Sequence, residues 1–229
     1  MKLLAIDTSS EACSVALLDG DSVSEQHRIE ARAHTRILLP MIRQLLGERG
    51  LRPVDLQGVV LGNGPGSFIG MRISASVAQG ICFAAGLPMV PVSSLAAVAA
   101  EAMQGEPGEK IAVAQDARMD EVYFATYLRD DAGLPALAGS EAIVPVGGRE
   151  LLQGSGWLAA GAGWERYPAL ASSCGDALAG FSRVLHPRAR YLLRLGTRAM
   201  QSGKSIDASQ LQPAYLRMKV AEAATDTAR

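Results

Sequence analysis

The chain has 229 residues, 48% of them hydrophobic and 20% charged, and its 22 Lys and Arg against 23 Asp and Glu give a formal net charge of −1. This composition is typical of a globular protein and excludes disordered and collagen-like chains. The near-neutral charge also argues against a broad surface for nucleic-acid phosphates, although a local basic patch is compatible with it.

The cysteines and the first residues indicate where the protein works. The three cysteines are widely spaced and form no C-x-x-C pair, so we expect reduced thiols. The first apolar run reaches Asp7 too early for a signal peptide. The weakly polar stretch from Ser74 to Pro88 is interrupted by glycines and is shorter than the roughly 20 residues of a membrane span. We therefore expect a cytoplasmic protein with no membrane contact.

The first half of the chain alternates strand and helix patterns. Two apolar runs, Lys2 to Asp7 and Cys13 to Leu18, predict a hairpin that turns at Asp19-Gly20, with a third antiparallel strand after it. Periodicity and breakers then predict further elements: a helix over 33–46, a strand over 57–61, a helix over 69–85, a strand over 89–92 and a helix over 95–103.

A second lobe is predicted to begin after Gly105, Pro107 and Gly108, which divides the chain into residues 1–104 and 105–229. The second part opens with another predicted hairpin, made of strands over 110–115 and 121–129 around a turn at 116–120. A core strand over 158–163 and a helix from Pro187 to Gln201 follow. Each lobe thus starts with a hairpin that carries an aspartate, Asp7 or Asp116, which predicts a cleft between two related α/β halves.

Two polar segments could hold a nucleotide in that cleft. Asp7 and Ser9 follow the first strand and could hold a hydrated Mg²⁺ and a phosphate, or could form ordinary turn hydrogen bonds. Gly64 and Gly66 lie in a loop that enters a helix, where free amides bind anions or where glycine permits close packing. The loop lacks the lysine of a P-loop and the spacing of a dinucleotide fingerprint.

Other chemistry has weaker support in the sequence. His27, His34 and His186 do not form the paired spacing that binds zinc, so no metal site and no cofactor are expected. No nucleophile motif is present, and no catalytic residue is assigned. Arginines 190, 194 and 198 make a basic stripe along one helix, which could meet RNA phosphates or could be an ordinary solvated face.

The two helices of the first lobe are more apolar than one core contact requires. The helix over 33–46 has an apolar arc that includes Leu38, Leu39 and Ile42, and the helix over 69–85 is apolar nearly all round. One face of each helix could pack within the lobe while the other binds a partner protein, or both faces could pack within the protein as a two-sided core.

Four segments, taken together, closely resemble the TsaB (YeaZ) family. They are Leu4-Ala5-Ile6-Asp7-Thr8-Ser9-Ser10-Glu11-Ala12-Cys13-Ser14-Val15-Ala16-Leu17, Gly64-Pro65-Gly66-Ser67-Phe68-Ile69-Gly70-Met71-Arg72-Ile73, Val92-Ser93-Ser94-Leu95 and Asp116-Ala117-Arg118-Met119-Asp120-Glu121-Val122-Tyr123. The closing Pro213-Ala214-Tyr215-Leu216-Arg217 also matches. Two positions depart from the family pattern, because Ile69 stands where threonine is usual and Met71 where leucine is usual.

The resemblance implies a two-lobed, actin-like ATPase fold with ribonuclease-H-like lobes, the second one reduced. It implies a non-catalytic partner that activates TsaD, which transfers threonylcarbamoyl to adenosine 37 of tRNAs reading codons that begin with A. TsaE joins the complex and TsaC supplies the activated threonylcarbamoyl group. This chain would contact tRNA only indirectly, through the complex.

In that family the first-lobe helices bind TsaD, or a second copy when TsaD is absent. The resemblance therefore assigns the interface here to Leu38, Met41, Ile42, Leu45, Ile73 and Val77, and predicts that glutamate at 38 and 42 abolishes TsaD binding without unfolding the protein. The main alternative is an active kinase or ATPase of the same fold, which would bind nucleotide at Asp7, Ser9, Gly64 and Gly66. A metallopeptidase and a direct RNA-binding module are further alternatives.

Overall fold

The computed structural model describes residues 1–30, 32–105, 108–147 and 151–216, and the described strands form two sheets. The strands are β1 Lys2–Asp7, β2 Ala12–Asp19, β3 Ser22–Ile29, β4 Gly58–Gly62, β5 Met89–Val92, β6 Lys110–Arg118, β7 Glu121–Arg129, β8 Pro135–Leu137, β9 Ala142–Pro145, β10 Trp157–Ala160 and β11 Leu178–Phe181. The α-helices are α1 His34–Glu48, α2 Phe68–Ala85, α3 Ser94–Gly105, α4 Ala162–Arg166, α5 Pro168–Cys174 and α6 Ala189–Gln201.

The first sheet has the order β3-β2-β1-β4-β5, and β1 pairs antiparallel with β2 and parallel with β4. The three antiparallel strands expected at the start of the chain are confirmed. The hairpin turn lies one residue later than predicted, because Asp19 pairs with Ser22 and leaves Gly20 and Asp21 as the turn. Gly20 has φ +62°, a backbone conformation that glycine adopts without strain.

The second sheet repeats this order. It runs β8-β7-β6-β10-β11, and β9 also pairs with β7. The β6–β7 hairpin is confirmed, but β6 extends to Arg118 and narrows the turn to Met119 and Asp120. The core strand predicted over 158–163 is β10, which ends at Ala160 because Gly161 then turns the chain into α4. Both sheets share one topology, which confirms two related α/β halves.

Helices cover both sheets and fill the space between them. α1 and α2 lie on the outer face of the first sheet, and α4 and α5 on the outer face of the second. α6 packs on the inner face of the first sheet and α3 on the inner face of the second, in contact with each other. This layering buries large aliphatic residues such as Leu3, Leu95 and Ile111 completely, so the two sheets are joined through a helical middle layer.

The last helix returns to the first sheet. Its N-terminal amides are bound by first-sheet side chains, since Ala189 N donates to Ser14 Oγ at 2.9 Å and Arg190 N donates to Glu25 Oε1 at 3.2 Å. These contacts explain why α6 begins at Ala189 rather than at Pro187 as predicted. The sheets separate near residue 105, but α6 belongs by packing to the first, so the division at 104/105 stays a prediction.

Some predictions concern residues outside the described part of the chain. Pro107, which helped to mark the boundary between the lobes, and Arg217, the last residue of the closing motif, are both of this kind.

α2 is the most apolar long helix. By length and composition alone it could cross a membrane, a test that core helices of soluble proteins also pass. Ser67 caps its start by accepting a hydrogen bond from Gly70 N at 3.2 Å, and Gly86, in the left-handed conformation with φ +65°, ends it. Its buried residues Ala75, Ala78 and Cys82 pack in the core against the first sheet, which leaves the opposite side of an apolar helix exposed.

Candidate functional site

A compact group of polar side chains lies where β1 ends. The Asp7 side chain is 1% exposed, and both of its carboxylate oxygens accept hydrogen bonds. Ser9 donates to Oδ1 through its backbone N–H at 2.8 Å and its hydroxyl at 2.7 Å, and Ser94 donates its hydroxyl to Oδ2 at 2.6 Å. Because Ser94 is the first residue of α3, Asp7 ties the first sheet to the middle layer.

Four glycines let the neighbouring backbone close over this group. A Cβ at Gly62 would collide with the Asp7 carboxylate, one at Gly64 with the Ser94 amide, and one at Gly66 with the Ser9 carbonyl. A Cβ at Gly70 would collide with the Thr8 carbonyl in the same way, and the Thr8 hydroxyl donates to the Gly70 carbonyl at 2.6 Å. We call Asp7, Thr8, Ser9, Ser94 and these four glycines the Asp7 junction.

Burial governs the charge state of this junction. Removal from water raises the pKa of the Asp7 carboxyl, and the hydrogen bonds from Ser94 and Ser9 oppose that rise only in part. The cavity beside Gly66 measures about 40 Å³, whereas small-molecule pockets usually measure at least about 300 Å³. The structure thus places Asp7, Ser9, Gly64 and Gly66 in one packed junction, where Ser9 bonds to Asp7, Gly66 lies against Ser9 and Gly64 lies against Ser94. Their role in nucleotide binding stays a prediction.

The larger cavity lies between the first two turns of α1 and the first half of α2. This α1–α2 groove has a volume of about 370 Å³ and is lined by nine residues, His34, Thr35, Leu38, Leu39, Ile69, Arg72, Ile73, Ser76 and Val77. Two of its apolar side chains are open to solvent, since Leu39 is 43% exposed and Ile69 is 69% exposed. Exposed apolar side chains along a groove are typical of a protein-binding surface.

The predicted interface residues divide into two groups. Ile73 and Val77 are partly buried and line the groove. Leu38, Met41, Ile42 and Leu45 are at most 3% exposed and pack in the core between α1 and the first sheet. Because the protein itself covers these four side chains, their part in an interface stays a prediction. Leu38 alone among them lines the groove, as part of its floor.

Leu39 and Ile69 line the groove but are not among the predicted interface residues, although the sequence contains a signal for each. Leu39 belonged to the apolar arc of the α1 pattern but lies at its outer edge, where the sheet does not cover it. Ile69 departs from the family pattern, and its exposure shows that it belongs to the surface. The periodicity indicated that the apolar arc of α1 is wider than one core contact requires. It could not indicate which edge of the arc the sheet would leave exposed to solvent.

The histidines do not come together as a ligand set, and no group of three or more His, Cys, Asp or Glu side chains in the described chain is arranged to hold a metal ion. His34 lies at the start of α1, where its Nε2 is 3.0 Å from the Ser10 carbonyl oxygen. Burial and the neighbouring Arg188 guanidinium lower the pKa of His27, and burial lowers the pKa of His186.

The basic stripe on α6 is partly engaged within the protein. Arginines 190, 194 and 198 are exposed, but Arg198 forms an ion pair with Asp130. Nearby, Arg188 lies 2.5 Å from Glu25 and 3.5 Å from Glu101. These pairs favour the interpretation of the stripe as an ordinary helix face over a phosphate-binding surface.

Comparisons with known proteins agree with one another. The family model described as "TsaD: tRNA N6-adenosine threonylcarbamoyltransferase" matches residues 22–154. The chain is 37% identical to the "tRNA threonylcarbamoyladenosine biosynthesis protein TsaB" of Escherichia coli, covering 96% of each chain. It is 36% identical to the protein of the same name from Haemophilus influenzae, covering 96% of this chain and 95% of that one. The solved structure "YeaZ from Pseudomonas aeruginosa" superimposes with a TM-score of 0.86 at 38% identity, over 94% of this chain and 99% of that chain.

Proposed function

Because this chain belongs to the TsaB (YeaZ) family and has its actin-like ATPase fold, we propose that it acts in the biosynthesis of N6-threonylcarbamoyladenosine in tRNA. Its role there is that of a non-catalytic subunit that binds and activates TsaD, the threonylcarbamoyltransferase. The reaction modifies adenosine 37 of tRNAs that read codons beginning with A, and its place is the cytoplasm.

The observation that carries the proposal is the α1–α2 groove. It is the larger of the two cavities described, and exposed Leu39 and Ile69 give it the apolar surface that a partner helix would cover. The proposed partner is TsaD, with TsaE joining the complex and tRNA reached through it. Without TsaD, the same exposed surface would favour a homodimer.

The Asp7 junction supports the non-catalytic part of the proposal. A carboxylate that binds a hydrated cation needs free oxygen lone pairs directed at the ion. Both Asp7 oxygens accept hydrogen bonds from serines, and backbone packs against them at Gly62. The geometry therefore favours a structural role for Asp7 over the alternative of a kinase or ATPase.

The proposal is tested by reconstituting tRNA threonylcarbamoylation from purified TsaC, TsaD and TsaE, with and without this chain. We expect the modified nucleoside to accumulate only when the chain is present. Equal accumulation in its absence would overturn the activating role. Titration of the isolated chain with ATP and Mg²⁺ tests the alternative, and saturable binding would favour it.

The interface is tested by variants that leave the core intact. We expect Leu39→Glu and Ile69→Glu to abolish binding to TsaD with little change in melting temperature, because both side chains are exposed. Leu137→Glu is the matched control, since Leu137 is 47% exposed but lies on β8 of the second sheet. Glutamate at Leu38 and Ile42 would not test the interface, because it would bury charges in the core.

A further inference from the structure

The α1–α2 groove has one permanently charged side chain among its described lining residues, Arg72. Five of the other residues are apolar, and the remaining three are His34, Thr35 and Ser76. No carboxylate of the described chain lies within ion-pair distance of Arg72. The guanidinium therefore lies at the edge of an apolar surface with its charge unpaired by those residues.

Aromatic rings hold Arg72 in place. Its Cζ lies 3.4 Å from the centroid of the Phe68 ring and 5.5 Å from that of Tyr215. Arg72 Nε donates a hydrogen bond to the Tyr215 hydroxyl at 3.0 Å. These contacts use the ring face and Nε and leave the terminal nitrogens free for a carboxylate, which arginine binds with two parallel hydrogen bonds. Because the side chain is already ordered, binding would cost little further entropy.

Tyr215 is in turn held by the segment that carries it. Asn63 Nδ2 donates to the Gln212 carbonyl at 3.0 Å, and Ala214 N donates to Asn63 Oδ1 at 3.3 Å. Asn63 follows β4, so the end of the described chain is fastened beside the start of α2. The position of Arg72 thus depends on a contact between residues that lie 143 positions apart in the sequence.

A second copy of this chain offers Arg72 a poor partner. α2 has no acidic residue, and the one acid of α1 is its last residue, Glu48, whereas arginines occur at 36, 43 and 72 on the two helices. In a two-fold dimer each groove faces its own copy, so arginines would face arginines. A partner helix with a carboxylate opposite Arg72 would be complementary in charge.

We propose that Arg72 is the specificity-determining cation of the groove, which pairs with a carboxylate on a helix of the partner protein and so favours that partner over a second copy of this chain. This inference rests on the proposed function, in which the partner is TsaD. Phe68 and Tyr215 act as positioning residues that present the guanidinium.

The test compares two equilibria in the full-length protein. We expect Arg72→Ala to weaken TsaD binding by about tenfold or more, because a charge pair at an interface loses one member, and to leave self-association as strong as in the wild type or stronger. Arg72→Lys keeps the charge but loses the paired hydrogen-bond geometry of arginine, so it should lose less TsaD affinity than Arg72→Ala.

Tyr215→Phe, which removes only the hydroxyl, should weaken TsaD binding by a few-fold and make it more sensitive to salt. Arg43→Ala is the control, since Arg43 is exposed on α1 but does not line the groove.

The outcomes separate this inference from the function on which it rests. If Arg72→Ala binds TsaD as the wild type does while Ile69→Glu does not, the role of Arg72 is overturned and the docking of TsaD stands. If the wild type itself fails to bind TsaD, the proposed function fails. Equal weakening of self-association, or loss of tRNA binding with TsaD binding unchanged, would also overturn the role of Arg72.

Discussion

The Asp7 junction and the α1–α2 groove lie at two sides of the same helix, and they differ in how completely the protein fills them. At the junction, the first turn of α2 is so close to β1 that a methyl group at Gly70 would collide with the Thr8 carbonyl. On its other face, the same turn leaves Ile69 exposed beside a cavity of about 370 Å³.

This difference shows that a sequence motif typical of a ligand site need not form a surface that is open to a ligand. The glycines and the aspartate form the segment that looks most like a ligand site in the sequence, but they are used for close packing. The groove has an ordinary composition, yet it is the surface that remains unfilled.

The largest effect is expected from filling the junction. Gly70→Ala places a methyl group against the Thr8 carbonyl and separates α2 from β1, and we expect the free energy of unfolding to fall by about 3 kcal/mol. Urea unfolding of the purified variant measures this change. Gly47→Ala is the control, because a Cβ at Gly47 meets nothing within 4 Å, and its effect should stay within about 1 kcal/mol. Equal effects at both positions would refute the tight contact.

A smaller effect, dependent on pH, is expected at Asp7. Burial raises the pKa of this carboxyl above its ordinary value of 3.8, so above that pH the folded state binds more protons than the unfolded state. The contribution of Asp7 is therefore complete below pH 3.8 and is lost as the pH rises through the folded pKa. Asp7→Asn removes the titration but can keep the hydrogen bonds to Ser9 and Ser94.

We expect the stability of Asp7→Asn relative to the wild type to increase as the pH rises. Unfolding of both proteins from about pH 4 to about pH 8 measures this difference. A relative stability that falls with rising pH would mean that the serine hydrogen bonds, rather than burial, govern the Asp7 carboxyl.

Much of the fold could be predicted from the sequence because it depends on local patterns. The β1–β2–β3 meander, α1 and α2 follow from periodicity and from breakers such as Gly86, and their observed bounds differ from the predicted ones by at most two residues. The return of α6 to the first sheet could not be predicted, because Ser14 and Glu25, which cap it, are distant in sequence.

The candidate site was predictable only in part. A wide apolar arc on α1 indicated spare surface, but Leu38 and Leu39 look alike in the sequence, and only tertiary packing buries one and exposes the other. Asp7 and Ser9 lie together as the sequence indicated. The tight packing of backbone against them arises only when the sheets and helices assemble. The role of Arg72 depends on Tyr215, a contact that no local pattern contains.

The smallest effect is expected beyond the end of the groove. Gly80 lies on the exposed side of α2, one turn past Ser76, and a Cβ there meets nothing within 4 Å. Gly80→Ala should raise the free energy of unfolding by up to about 1 kcal/mol, because alanine favours the helix, and should leave TsaD binding unchanged. Thermal unfolding and a binding titration measure the two quantities. If stability rises while TsaD binding weakens, the partner helix continues over Gly80, and the binding surface is one turn longer than the cavity that marks it.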